Sequence, residues 1–126
     1  MSDGASTLRS ARYLHLTPEE IWTAQASSGS YRPEAFERDG FIHCTIGEDD
    51  LIAVANAFYA TDSRTQVVLV IDPNFLTAPV RFEDSARIYP HLYGPLNVEA
   101  VRAVRRVRRT EDGSYDSIDA AEIPVD

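Results

Sequence analysis

Lysine is missing altogether: all 12 basic residues of the chain are arginine. A chain without lysine cannot form a lysine Schiff base and cannot carry the lysine of a phosphate-binding loop, which removes two large groups of enzymes. Cysteine is nearly missing too. With Cys44 alone there is no internal disulfide and no four-cysteine zinc site, in keeping with a reducing compartment. Long apolar runs are also lacking, since none approaches the roughly 18 residues that span a bilayer. The first ten residues, MSDGASTLRS, have neither a basic start nor an apolar centre; they read as a flexible lead-in, with the cytoplasm as the expected compartment.

What is present describes an ordinary globular chain. Its 126 residues, 44% hydrophobic and 25% charged, suit one core and one domain. The expected division is a flexible segment 1–10, a globular domain 11–116 and a loosely ordered acidic tail 117–126. A net charge of -8 repels polyanions, so neither DNA nor RNA is expected as a partner, and no membrane is either. A small molecule or a nucleotide is the expected ligand.

Local patterns predict a compact α+β domain of short strands and two packed helices. Tyr13 to Leu16 alternates as a strand, and Thr17-Pro18-Glu19-Glu20 offers an N-cap, a first-turn proline and a capping-box glutamate. The helix that follows should bury Ile21, Trp22 and Ala26 and stop near Gly29. Residues 30–39 read as a loop, and Phe41 to Ile46 as a second strand, with Thr45 and Glu48 repeating the capping-box pattern. Leu51, Val54, Ala55 and Phe58 then fall at i, i+3, i+4 and i+7, one face of a helix laid on a core. Val67 to Ile71 suits a central strand covered on both faces. Val80 to Glu83 alternates again, Asn97 is placed to cap a short turn, and Val101 to Arg109 runs into a hairpin signal at Asp112-Gly113 with Tyr115 in the returning arm.

The three histidines sit in structured segments: His15 in the first strand, His43 in "GFIHCT" and His91 in "PHLYGPLN". Because side chains alternate across a strand, His15 shares a face with Tyr13, His43 with Phe41 and Thr45, and Arg81 with Glu83. If the sheet brings these faces together they form one cleft holding imidazoles, a guanidinium and a carboxylate, a set that orients a polar ligand and stabilises developing charge. The competing reading makes each histidine a satisfied structural residue and Arg81 with Glu83 a surface ion pair. A third reading joins the three imidazoles around a zinc ion as a hydrolase site, although no HxH or HxxxH spacing supports it. Cys44 points away from His43 and reads as core. The arginine run of Arg102, Arg105, Arg106, Arg108 and Arg109 is followed by Glu111, Asp112, Asp116 and Asp119, acids able to neutralise it across the hairpin.

The stretches YLHLT, EEIWTAQASSGSY, GFIHCT, AVANAFY, VVLVID, VRFE and PHLYGPLN together resemble the bacterial "domain of unknown function 952" family over about residues 12 to 115. A more distant similarity, in the order of histidine strand, helix, HxT strand, helix and VVLVID, is to the tRNA 2'-phosphotransferases of the ADP-ribosyltransferase fold. That resemblance implies an NAD-binding cleft in which His15 holds the adenosine ribose, His43 lies near the nicotinamide, and Glu83 orients the acceptor. Apart from Arg81, the RNA-gripping arginines of the phosphotransferases have no counterpart here, so the fold is carried over and the RNA reaction is not. On these grounds His43, Glu83 and Arg81 are the expected catalytic groups, His15, Thr45, His91, Tyr93 and Asn97 the expected ligand contacts, and NAD the expected cofactor, with no metal. Recognition of a small ligand or a nucleotide without turnover is the alternative.

Overall fold

A computed structural model describes residues 11–124, so the expected lead-in at 1–10 lies outside the described residues. In chain order the elements are β1 (Tyr13–Pro18), α1 (Glu19–Ala26), β2 (Ser30–Tyr31), α2 (Phe36–Asp39), β3 (Ile42–His43), α3 (Glu48–Phe58), β4 (Gln66–Ile71), β5 (Val80–Phe82), β6 (Pro90–Leu92), β7 (Leu96–Asn97), β8 (Val101–Arg109) and β9 (Tyr115–Ile123), with 3-10 turns at Pro73–Phe75 and Val98–Ala100. The class is α+β, and the strand ladders are antiparallel.

The branched run Val67 to Ile71 takes the inner position it favours, between β1 and β8 in a four-stranded sheet of order β1-β4-β8-β9. Alternation then sorts its side chains into two cores. Val67, Leu69 and Ile71 join Trp22, Tyr31, Ile42, Leu92 and Leu96 on one face. Val68 joins Leu14, Leu16, Leu51, Ala55, Tyr115 and Ile118 under α3 on the other. Asn56 ties that helix to β9, accepting from the Tyr115 N–H at 2.7 Å and donating to its carbonyl at 2.9 Å. The first core is roofed by a three-stranded sheet of order β3-β6-β5 and by the β2-β7 pair.

Several local expectations are corrected. The tail expected to be loose from residue 117 is the second half of β9, hydrogen-bonded to β8 as far as Ile123, because Ile118 buries into the α3 core. The segment 30–39 is not all loop: β2 pairs with β7, and Phe36–Asp39 makes one helical turn closed by Gly40 at φ +79. Neither capping box forms. Pro18 and Gly47 hold the two N-cap positions without a side-chain cap, since Thr17 and Thr45 are still engaged in extended backbone. β3 is regular only over Ile42–His43, because beyond it the segment is shared between sheets: the Cys44 N–H bonds the Pro90 carbonyl, whereas Thr45 pairs with Leu14. No helix among the described residues is long and apolar enough to cross a membrane.

Candidate functional site

The two larger sheets meet at one bridge, where Leu14 and Thr45 exchange both backbone hydrogen bonds at 2.8 Å. Continued two residues along each strand, that antiparallel pairing would join Leu16 to His43. It does not continue, because the His15 imidazole takes the His43 carbonyl instead, with Nδ1 at 2.7 Å. A side chain is longer than a backbone N–H, so β1 and β3 part here, and a groove of about 1060 Å³ opens between them. β1, β3 and α3 line it, together with the segment 33–39 and residues 83, 84, 89 and 91.

His15 is therefore the wedge of the groove and has no nitrogen left for a ligand. A carbonyl only accepts, so Nδ1 carries the proton; the bare Nε2 then accepts from the Tyr31 hydroxyl at 2.9 Å. Burial lowers the pKa of this imidazole from 6.5 to about 4, keeping it neutral. The same burial raises the Tyr31 phenol. The expected ligand contact is thus a structural residue beneath the site, bonded to the backbone of His43 and not facing its ring.

His43 and His91 are the groups that reach the groove with free valence. They are direct cross-strand partners on β3 and β6, with ring centroids 5.4 Å apart. His43 Nε2 donates to the Asp39 carboxylate at 2.9 Å, and His91 Nδ1 donates to Glu83 Oε1 at 2.8 Å. On each ring the other nitrogen has no hydrogen-bond partner among the described residues. Phe41 supports both, stacked on His91 at 4.0 Å and 17° and tilted against His43 at 4.5 Å.

The carboxylates are held ionised. Arg38 first and then His43 pull the pKa of Asp39 down to about 2. The Tyr93 hydroxyl, donating at 2.7 Å, and then His91 lower Glu83. Asp84 is lowered chiefly by the Ile88 backbone N–H at 2.8 Å. With Glu34, which grips Arg64 at 3.0 and 3.1 Å, the groove shows four carboxylates against the guanidinium of Arg38. Arg81 stands just outside, opposite His91 in register on β5, its guanidinium 5.3 Å from the Tyr93 ring centre. It makes no ion pair among the described residues.

Of the residues singled out from sequence, the fold brings His15, His43, Thr45, Glu83 and His91 to the groove. Tyr93 and Arg81 stand behind Glu83 and His91. Asn97 is elsewhere, accepting from the Thr77 backbone at 3.2 Å and donating to the Phe75 carbonyl at 2.8 Å, so it braces a loop. Cys44 is 3% exposed and burial raises its thiol pKa, as suits a core residue. No group of three or more His, Cys, Asp or Glu among the described residues is placed to hold a metal ion. The expected neutralisation of the arginine run is seen in Arg105 with Glu48, Arg106 with Glu19 and Arg108 with Asp119, though two of the three acids lie outside the hairpin. Sequence reasoning missed Asp39, Asp84, Phe58, Tyr59 and Tyr89. For Asp39 a signal existed, because His43 follows it by four residues across a glycine turn.

A family model described as "Protein of unknown function (DUF952)" matches residues 16–104. Among solved structures, the crystal structure of protein CC0527 from Caulobacter crescentus is similar, with a TM-score of 0.71 and 22% identity over 83% of this chain and 93% of that one. The solution structure of CC0527 gives a TM-score of 0.65 and 23% identity over 81% of this chain and 89% of that one. These likenesses concern the fold. Among curated proteins no sequence matches significantly.

Proposed function

The chain belongs to the DUF952 family of proteins of unknown function, and from the chemistry of its groove we propose that it binds the nucleoside part of NAD or a related nucleotide and acts at the nicotinamide ribose. One observation carries the reading: two imidazoles on one groove wall, each oriented by a carboxylate and each with its second nitrogen free of a hydrogen-bond partner among the described residues. On a neutral ring such a nitrogen is a general base in position. Breaking the bond between ribose C1' and the nicotinamide nitrogen sends the electron pair into the ring, so nicotinamide leaves neutral and needs no proton. Positive charge grows on the ribose meanwhile, and Glu83, kept ionised by Tyr93 and His91, is placed to stabilise it. The O–H of an acceptor or of water then adds to C1' and gives its proton to His91 Nε2. The carboxylate lining disfavours a pyrophosphate inside the groove, and Arg81, beside His91 and without an ion pair among the described residues, offers it a place outside.

Recognition without turnover is the second reading, favoured by the 51% exposure of Glu83, which leaves its charge screened by water. Both readings predict binding, and only the first predicts product. The test is a thermal shift with NAD and with ADP-ribose, beside a His43→Ala, His91→Ala double variant, followed by chromatography for nicotinamide. A ligand at about 100 times its Kd stabilises by about 2.7 kcal/mol, and the variant should lose that gain. Binding without nicotinamide release leaves the recognition reading; no shift with either compound removes both.

A further inference from the structure

The apolar stripe of α3 does not stay on the core. Leu51 and Ala55 are buried under the four-stranded sheet, but Val54 and Phe58, one helical turn apart from each other, belong to neither core and line the groove. Phe58 is 76% exposed. The other large exposed apolar side chain, Phe75, has the Arg102 guanidinium over its ring at 4.7 Å; Phe58 makes no ring stack or cation–π contact among the described residues. The lining also holds a stack of rings, Phe41 against His91 with His43 at its edge. Aromatic rings from α3, β3 and β6 and several carboxylate acceptors thus line one groove, a set suited to a flat ring that carries N–H or O–H groups.

We propose that Phe58 is a specificity-determining residue, stacking on the planar heteroaromatic base of the bound nucleotide and closing the groove over it. This rests on the nucleotide reading above and adds the residue that selects for a base. A ring in water at a groove mouth, attached to a helix anchored by Leu51 and Ala55, gains contact when a base enters and moves nothing else. Base–aromatic stacks are sequence-tolerant, so Phe58 should select a base over no base more strongly than one base over another.

The experiment titrates the full chain and its Phe58→Ala, Phe58→Leu and Phe58→Trp variants with NAD, AMP and ribose 5-phosphate by calorimetry. Loss of the ring should weaken NAD and AMP about 5- to 150-fold, the range of one base–aromatic stack. Leucine should not restore them, tryptophan should, and ribose 5-phosphate should be indifferent to all three changes. At 76% exposure the position tolerates substitution, so misfolding does not confound the comparison. If NAD binds the alanine variant as tightly as the parent, or if ribose 5-phosphate weakens in step with NAD, the role given to Phe58 is wrong while the nucleotide reading stands. If NAD and AMP bind none of the chains, both fall.

Discussion

Replacing His15 by asparagine should abolish a specific pH dependence of folding. The folded imidazole is 5% exposed, gives its proton to the His43 carbonyl and has a pKa of about 4 against 6.5 in the unfolded chain. At pH 7.5 both forms are neutral and the group contributes no pH dependence. As pH falls through 6.5 the unfolded chain takes up a proton that the folded chain refuses, so stability declines until the folded ring also protonates near pH 4. Each pH unit in that window costs at most about 1.4 kcal/mol, and the whole window about 3 kcal/mol. Urea unfolding followed by the fluorescence of Trp22, the single and buried tryptophan, reads this directly. Groups common to both chains cancel in the difference between parent and His15→Asn, leaving a curve that falls from pH 6.5 to about 4. A flat difference would mean that His15 is hydrated or charged in the folded state, and the wedge account of the groove would be lost with it.

The α3 stripe supplies a contrast within one helix. Leu51→Ala, at 2% exposure in the core, should cost about 3 kcal/mol of unfolding free energy, whereas Phe58→Ala should change it by less than about 0.5 kcal/mol. Gly40→Ala should cost about 1 kcal/mol in the same assay; nothing lies within 4 Å of the added Cβ, so the loss is that of a left-handed φ of +79 alone. Cys44 should resist a thiol reagent at pH 8 in the native protein and react at once in urea, and rapid native labelling would place it outside the core.

Much of the fold was legible because local patterns agreed with burial. The five-residue run of β4 stands where a doubly covered strand must, and the β8–β9 hairpin turns near Gly113 at φ +90. The failures share a cause. Thr17 and Thr45 fit capping boxes by spacing, but both residues are engaged in extended pairing, and a residue so held cannot also cap a helix. The tail read as loose from composition, yet Ile118 and Ile123 give it an apolar side that only the cores of the folded protein could use.

The site divides along the same line. From the sequence alone came the alternation that sets His43 on the face of Phe41 and Thr45, puts Cys44 on the other, and marks His91 and Glu83 as groups to watch, because period-two geometry is a property of any strand. Only the tertiary structure decided which nitrogens are free. His15 and His43 look alike in the chain; one is spent on a carbonyl and a phenol, and the other is left with a carboxylate on one side and an open valence on the other. That distinction depends on which strands part and which meet, contacts between residues 28 apart, and no local pattern contains it.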